Sequence, residues 1–187
     1  MLKMIVAYCR NKGIGVGQSL PFKLEHDMRR FKRITIGNKN NAIIMGKNTW
    51  LSISKRPLPH RDNLVLSRTL EGDNIFNSMR DIKRHCHQKR YDEIWIIGGE
   101  DIYKQFIWDA DLETICVTEV GEDGDDCDTF FPKIPRWFTL LWKGCIYMDN
   151  DTSFRYSIYE RPDIYAKRRI PWPSTRSSPS MMPVDYR

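Results

Sequence analysis

Four short apolar runs limit what this chain can become: Met4-Ile5-Val6-Ala7-Tyr8, Ala42-Ile43-Ile44-Met45, Leu64-Val65-Leu66 and Ile94-Trp95-Ile96-Ile97. Each is shorter than an ordinary helix, rich in Ile, Val or Leu, and bounded by Gly, Asn or Ser. That pattern predicts strands buried on both faces, as in a parallel sheet covered by helices. The covering layers are visible between them. Leu24, Met28, Phe31 and Ile34 recur at helical spacing and predict an amphipathic helix over Glu25–Ile36 that Gly37 ends. Further helices begin near Lys47, Ser78 and Glu100. After Asp109 the residues 113–120, 137–142 and 153–160 read as strands with no helix between them. In the last of these, Phe154, Tyr156 and Ile158 alternate with Arg155, Ser157 and Tyr159, the pattern of an antiparallel strand wet on one face. The expected architecture is α/β: a single domain with a mostly parallel central sheet, helices on both faces and a C-terminal antiparallel hairpin.

The chain has 187 residues, one domain's worth, and 41% hydrophobic with 29% charged residues is a globular composition. Its net charge of +6 hints at nucleic acid until it is mapped. Lys167, Arg168, Arg169, Arg176 and Arg187 against Asp185 place four of those charges in residues 164–187, so residues 1–163 have no broad basic face for phosphates. Nucleic-acid binding is expected only through that basic tail, if at all. Pro171, Pro173, Pro179 and Pro183 among four serines make the tail too poor in buriable surface to order itself, so it reads as flexible. Five cysteines without C-x-x-C spacing suggest reduced thiols, and no apolar run approaches the roughly 20 residues of a membrane helix. The expectation is a soluble, cytoplasmic protein with no membrane contact and no metal.

Two strands end in glycine and run directly into helices, at Met45-Gly46-Lys47-Asn48-Thr49 and Ile97-Gly98-Gly99-Glu100-Asp101. Glycine lets phosphates approach backbone N–H groups, so two such turns suit a dinucleotide; either alone also serves as a tight strand-to-helix turn. A third strand ends in Leu66-Ser67-Arg68, which with Lys47 offers a hydroxyl and two cations for one more monophosphate. Gly13-Ile14-Gly15-Val16-Gly17 has the wrong spacing for a dinucleotide fingerprint and reads as a flexible loop over a site. His85-Cys86-His87, among Lys83, Arg84, Lys89 and Arg90, reads as a solvated helix face. Asp27 lies in the first turn of the amphipathic helix, bordering its apolar face. It is either a dipole-stabilised acid pointing to water or a carboxylate at the bottom of an apolar cleft, with a raised pKa and a cationic or amidine-like partner.

Taken in order, these strings resemble the dihydrofolate reductase family over residues 1–163. The match runs through Ile5-Val6-Ala7, Ile14-Gly15, Leu20-Pro21-Phe22, Asp27-Met28-Arg29-Arg30-Phe31-Lys32, Met45-Gly46-Lys47-Asn48-Thr49-Trp50, Arg56-Pro57-Leu58-Pro59, Leu66-Ser67-Arg68, Ile97-Gly98-Gly99, Tyr103 and Asp128-Thr129-Phe130-Phe131-Pro132. The resemblance implies NADPH-dependent reduction of 7,8-dihydrofolate to tetrahydrofolate, serving one-carbon metabolism and thymidylate synthesis, by a monomer that antifolates inhibit. Asp27 would be the catalytic carboxylate, backed by Thr118. Ile5, Ala7, Met28, Phe31, Ile53, Leu58, Ile97 and Tyr103 would line the substrate side, with Arg56 nearby and Arg61 clasping the glutamate α-carboxylate. Cofactor contacts would come from Ala7, Ile14, Gly15, Leu20, Gly46, Lys47, Asn48, Thr49, Leu66, Ser67, Arg68, Gly98, Gly99, Glu100, Asp101 and Ile102. Residues 9–24 would form a lid, and the Gly98-Gly99 peptide would be cis.

The chain departs from the family pattern in three places. Phe22 stands where many members have Trp, His60 where Gly is common before Arg61, and residues 164–187 have no counterpart. The alternatives are a pyrimidine reductase of riboflavin synthesis, against which Asp27, Arg56 and Arg61 speak, and a non-catalytic protein presenting the basic tail. A chain truncated after Asp163 is expected to retain the activity the resemblance implies; a folded but inactive truncation, assayed beside the full chain, would show that the tail belongs to the active unit.

Overall fold

The computed structural model describes residues 1–162, so the 164–187 tail and its expected flexibility lie outside the described residues. In chain order the elements are β1 (Leu2–Tyr8), β2 (Gly13–Gly15), α1 (Glu25–Ile36), β3 (Ala42–Gly46), α2 (Lys47–Ser52), β4 (Asp62–Leu66), β5 (Ile75–Phe76) and α3 (Met79–Lys89). They continue with β6 (Ile94–Gly98), α4 (Glu100–Phe106), β7 (Leu112–Val120), β8 (Thr129–Phe130), β9 (Thr139–Lys143), β10 (Tyr147–Asp149) and β11 (Thr152–Glu160). The main sheet runs β10-β11-β7-β1-β6-β3-β4-β5, with β9 also on β11. From β7 to β5 every pairing is parallel, and β11 closes the other side antiparallel. The α/β architecture expected from the sequence is the one found.

Alternation along the strands sorts the core into two layers. Met4, Val6 and Tyr8 join Ala42, Ile44, Leu64 and Ile96 under Ile82 of α3 and Ile102, Tyr103 and Phe106 of α4. Ile5, Ile43, Met45, Val65 and Trp95 face the other way, against Phe31 and Ile34 of α1 and Trp50 of α2. The chain leaves β1 toward β3 and leaves β6 toward β7, so these adjacent strands send it to opposite sides. A crevice opens beyond their carboxyl ends, the switch point at which open α/β sheets bind ligands.

Several details differ from the sequence reading. Gly13–Gly15 is not a loop but a short buried strand paired with β8, and Val16 and Ser19 exchange backbone hydrogen bonds of 2.9 and 3.0 Å in the turn that follows. Strand β9 starts at Thr139, because Trp137 packs edge-on against Trp108 at 5.1 Å instead of entering the sheet. Ser157 breaks the expected wet face of β11: it is fully buried and donates to Glu119 at 3.0 Å. The 85–87 helix face is also not uniformly solvated, since Cys86 is in the core and His85 packs between Phe76 and Tyr91. None of the five cysteines forms a disulfide, and among the described residues no helix is long and apolar enough to cross a membrane.

His60, one of the departures noted above, sits at φ +66° in the turn before β4. A side chain pays roughly 1–2 kcal/mol for that left-handed conformation, whereas glycine adopts it freely. His60→Gly is therefore expected to stabilise the protein by about 0.5–1 kcal/mol after the extra unfolded-state entropy of glycine is counted. An unchanged or lower midpoint in urea unfolding would show that the surrounding turn relieves the strain.

Candidate active site

The crevice is a cleft of about 1280 Å³ bounded by the 9–24 segment, α1, α2, and the ends of β1, β3, β4 and β6. Two chemically different arms meet in it. The first is apolar, walled by Ile5, Ala7, Met28, Phe31, Ile53, Leu58 and Ile97, with Phe22 beneath the entrance. The second is polar and glycine-bordered, walled by Gly46, Lys47, Asn48, Thr49, Leu66, Ser67, Arg68, Gly99, Glu100, Asp101 and Ile102. Ile14, Gly15, Leu20 and Tyr103 also line the cleft.

Asp27 supplies the only described carboxylate on the apolar arm. Helix α1 carries it there because the helix has no capping side chain of its own: Leu24 occupies the N-cap position. Asp149 of β10 accepts the His26 N–H at 2.9 Å instead, meeting the helix terminus from across the hairpin. Asp27 is thereby left to point inward, where Thr118 of β7 donates to its Oδ1 at 2.6 Å. Burial pushes the carboxyl pKa above the usual range, and the Thr118 hydrogen bond and the Arg30 charge pull it back in part. Of the two fates the sequence allowed Asp27, the cleft is the one realised.

At the polar arm, Gly46 is required by contact. A Cβ there would lie 2.9 Å from Ile102 Cγ1, so only glycine keeps the β3–α2 turn against α4. Gly98, at φ +107°, lies behind the wall against the Tyr103 ring, and the Gly98-Gly99 peptide is cis. Tyr103 donates to the Ile5 carbonyl at 2.8 Å, tying α4 to β1 beneath the junction. Lys47 Nζ donates to Thr69 Oγ1 at 2.9 Å. Ser67 Oγ accepts from the N–H groups of Thr69 and Leu70, which leaves its hydroxyl proton to offer. The acidic Glu100 is engaged elsewhere: Lys104 pairs with it at 2.5 Å, holding it below the usual carboxylate range, and it accepts the Phe130 N–H. Apart from the Asp101 carboxylate, the arm presents cations, hydroxyls and backbone N–H groups, a donor set suited to phosphates.

Besides Gly98, three expected residues lie off the wall. Thr118 is buried beneath Asp27. Arg61 sits behind Phe31, its guanidinium 5.5 Å from that ring; Nη1 donates to Thr35 Oγ1 at 2.8 Å and to the Lys32 carbonyl, while Nε is buried without a partner. Arg56 is exposed and donates to the Leu51 carbonyl at 3.0 Å. The cleft also includes Thr69, Asn77, Gln105 and Thr129, which the sequence reading missed as wall residues. Asn77 follows β5, a two-residue strand too short to leave a pattern, whereas Thr69 adjoins Ser67-Arg68 and was within reach.

Fold and cleft define an α/β protein whose cleft, across the carboxyl ends of a parallel sheet, has an apolar arm with one carboxylate and a polar arm bordered by glycine. The sequence profile of the dihydrofolate reductase family matches residues 1–161. The dihydrofolate reductase of Drosophila melanogaster is 33% identical over 179 residues, covering 84% of this chain and 96% of the relative. That of Gallus gallus is 31% identical over 182 residues, covering 86% and 96%. A viral dihydrofolate reductase of Saimiriine herpesvirus 2 (strain 488) is 38% identical over 149 residues, covering 72% and 70%. The chain belongs to the dihydrofolate reductase family.

The raised pKa of Asp27 has a sign for stability. The folded chain holds that proton more tightly than the unfolded one, so stability falls as pH rises from the ordinary aspartate pKa through the raised folded value. Asp27→Asn removes the penalty and can keep the Thr118 hydrogen bond. It is expected to be more stable than the parent at pH 7.5 in urea unfolding, with the difference closing at acid pH; a parent more stable at pH 7.5 would contradict the sign.

Proposed function

We propose that this protein reduces 7,8-dihydrofolate to 5,6,7,8-tetrahydrofolate with NADPH as reductant, supplying one-carbon metabolism and thymidylate synthesis, and that it works as a cytoplasmic monomer. The observation that carries this reading is the Asp27 carboxylate, fixed by Thr118 on the floor of an otherwise apolar arm. A dihydropterin presents a 2-amino group and N3–H side by side. An ionised carboxylate accepts both, which fixes the ring plane in the cleft.

When bound, NADPH would supply a hydride for C6 of the pterin. The proton goes to N5, from water, and Asp27 favours that protonation by placing negative charge against the ring. Ile5, Phe31, Ile53 and Leu58 keep the arm dry, which strengthens the pairing. Phe22 offers no hydrogen-bond donor at the mouth, so a water there must be held by other groups. Arg61, with its unpaired Nε, stands behind Phe31 where a substrate α-carboxylate would leave the apolar arm.

The polar arm fits a phosphorylated dinucleotide. Lys47, Ser67 and Arg68 supply a hydroxyl and two cations for a 2′-phosphate, and Gly46 and Gly99 let the backbone approach a pyrophosphate. Pyrimidine or pteridine antifolates, protonated next to the ring amino group, would compete for Asp27.

Asp27→Asn is expected to keep the fold and NADPH affinity and to lose roughly 10²–10⁴ in turnover near neutral pH. Lowering the pH should restore part of that loss by supplying dihydrofolate already protonated at N5. The measurement is NADPH oxidation with 7,8-dihydrofolate, with a methotrexate-inhibited control. A neutral-pH rate unchanged by the substitution would remove Asp27 from the mechanism, and no oxidation by folded, NADPH-binding protein would remove the substrate assignment.

A further inference from the structure

Behind Asp27 lies a cation, Arg30, that is not part of the cleft wall. Arg30 is three residues along α1 from Asp27, hence on the same helix face. Its guanidinium stacks on Tyr156, with Cζ 4.2 Å from the ring centroid. Tyr156 is in register opposite Thr118 across the β11–β7 pair, and Thr118 is the group that holds Asp27. The four residues therefore close a ring: Asp27 to Thr118 by a hydrogen bond, Thr118 to Tyr156 by strand register, Tyr156 to Arg30 by stacking, and Arg30 to Asp27 along the helix. Arg30 Nη1 is shut off from solvent and has no hydrogen-bond acceptor among the described residues. A buried donor left without an acceptor is unusual, and here it belongs to a full charge.

We propose that Arg30 is a positioning residue for the reaction: stacked on Tyr156, it provides a fixed positive charge behind Asp27 that keeps the carboxylate ready to accept the pterin. This inference rests on the assignment of Asp27 to the substrate. The other titratable groups facing this spot do not supply that charge. Cys116, two residues before Thr118 on β7, is a buried thiol whose pKa is raised by burial and pulled back in part by Arg30, which acts on it by charge and by a hydrogen bond, so the same guanidinium serves both groups. Tyr103 of α4 is a phenol raised far above its ordinary value, chiefly by burial, and Tyr156 is pushed up to about 12, again chiefly by burial. Tyr147 of β10 stacks on Phe154 and adjoins Tyr156, and it too is a phenol. Arg33, one turn further along α1, is felt at Tyr156. Arg30 is the cation whose charge opposes the desolvation of Asp27.

Stacking also explains why the charge can remain there without a salt bridge. The aromatic face favours the flat guanidinium, whose Nη1 is buried in this position. A direct ion pair with Asp27 would occupy the oxygens that substrate needs. A cation held one turn back lowers the cost of the buried carboxylate and leaves those oxygens open.

The test uses the full chain labelled with ¹³C at aspartate carboxyls, with the Asp27 signal assigned by its loss in Asp27→Asn. Arg30→Met is expected to move the Asp27 titration midpoint upward, and Arg30→Lys, which keeps the charge, to hold it near the parent value. Without NADPH, 7,8-dihydrofolate should bind Arg30→Met more weakly than the parent on the acid side of the measured midpoints, by up to tenfold for each unit the midpoint rises, and converge on the parent well above them. Should Arg30→Met fail to fold, Arg30→Gln keeps a polar head without the charge and is read in the same way. A midpoint that stays put in the neutral variants, or moves equally in Arg30→Lys, would overturn the proposal and leave Arg30 a packing residue. Turnover indifferent to Asp27→Asn would instead overturn the assignment on which it rests.

Discussion

The hydrogen bond from Thr118 to Asp27 joins a helix and a strand that lie 91 residues apart in the chain. On one side is a helix whose first turn needs an anion; on the other is β7, the strand at which the parallel part of the sheet meets the antiparallel part. A carboxylate in the first turn of a helix would ordinarily serve that helix. Here Asp149 meets the helix terminus instead, and Asp27 becomes available to the cleft. The apolar arm depends on that division of labour. Without it, the arm would be a dry slot with no group to orient a heterocycle.

The two arms use the sheet in different ways. The apolar arm draws on side chains from one face of β1 and from α1, where alternation places Ile5 and Ala7 on the same side. The polar arm draws on strand ends, where backbone N–H groups and short polar side chains emerge together. Gly46, pressed against Ile102, and Tyr103, bonded to the Ile5 carbonyl, fix the distance between the arms. A ligand spanning both is thus measured against the separation of β1 and β3, which β6 sets by lying between them.

The parallel strands were legible in the sequence because burial on both faces leaves a continuous apolar run, and the helices because their apolar faces repeat. Glycines at strand ends marked the polar arm for the same local reason. Asp27 was different: its position in the first turn allowed two orientations, and the deciding partner lies 91 residues away in sequence. Local pattern carries no information about such a pairing. The arginines show the converse limit. Resemblance assigned Arg56 and Arg61 to the substrate, but only coordinates reveal that Arg61 stands behind Phe31 and that Arg56 is turned to the α2 backbone. Short elements such as β2, β5, β8 and β10 left no periodic trace, since two or three residues cannot establish a period.

The placement of β1 has a consequence for the order in which the chain is assembled. The first strand to be synthesised pairs on one side with residues beginning at Ile94 and on the other with residues from Leu112 onward. Until those segments leave the ribosome, Met4 to Tyr8 has no strand to pair with, and long-range pairings of this kind are slow and expose apolar surface while they wait. Completion of the sheet further requires β11, so the carboxylate floor and its surrounding aromatic shelf are finished only when nearly all of the first 160 residues are made. During translation this central strand therefore emerges before the other described strands and is one of the last to find its neighbours.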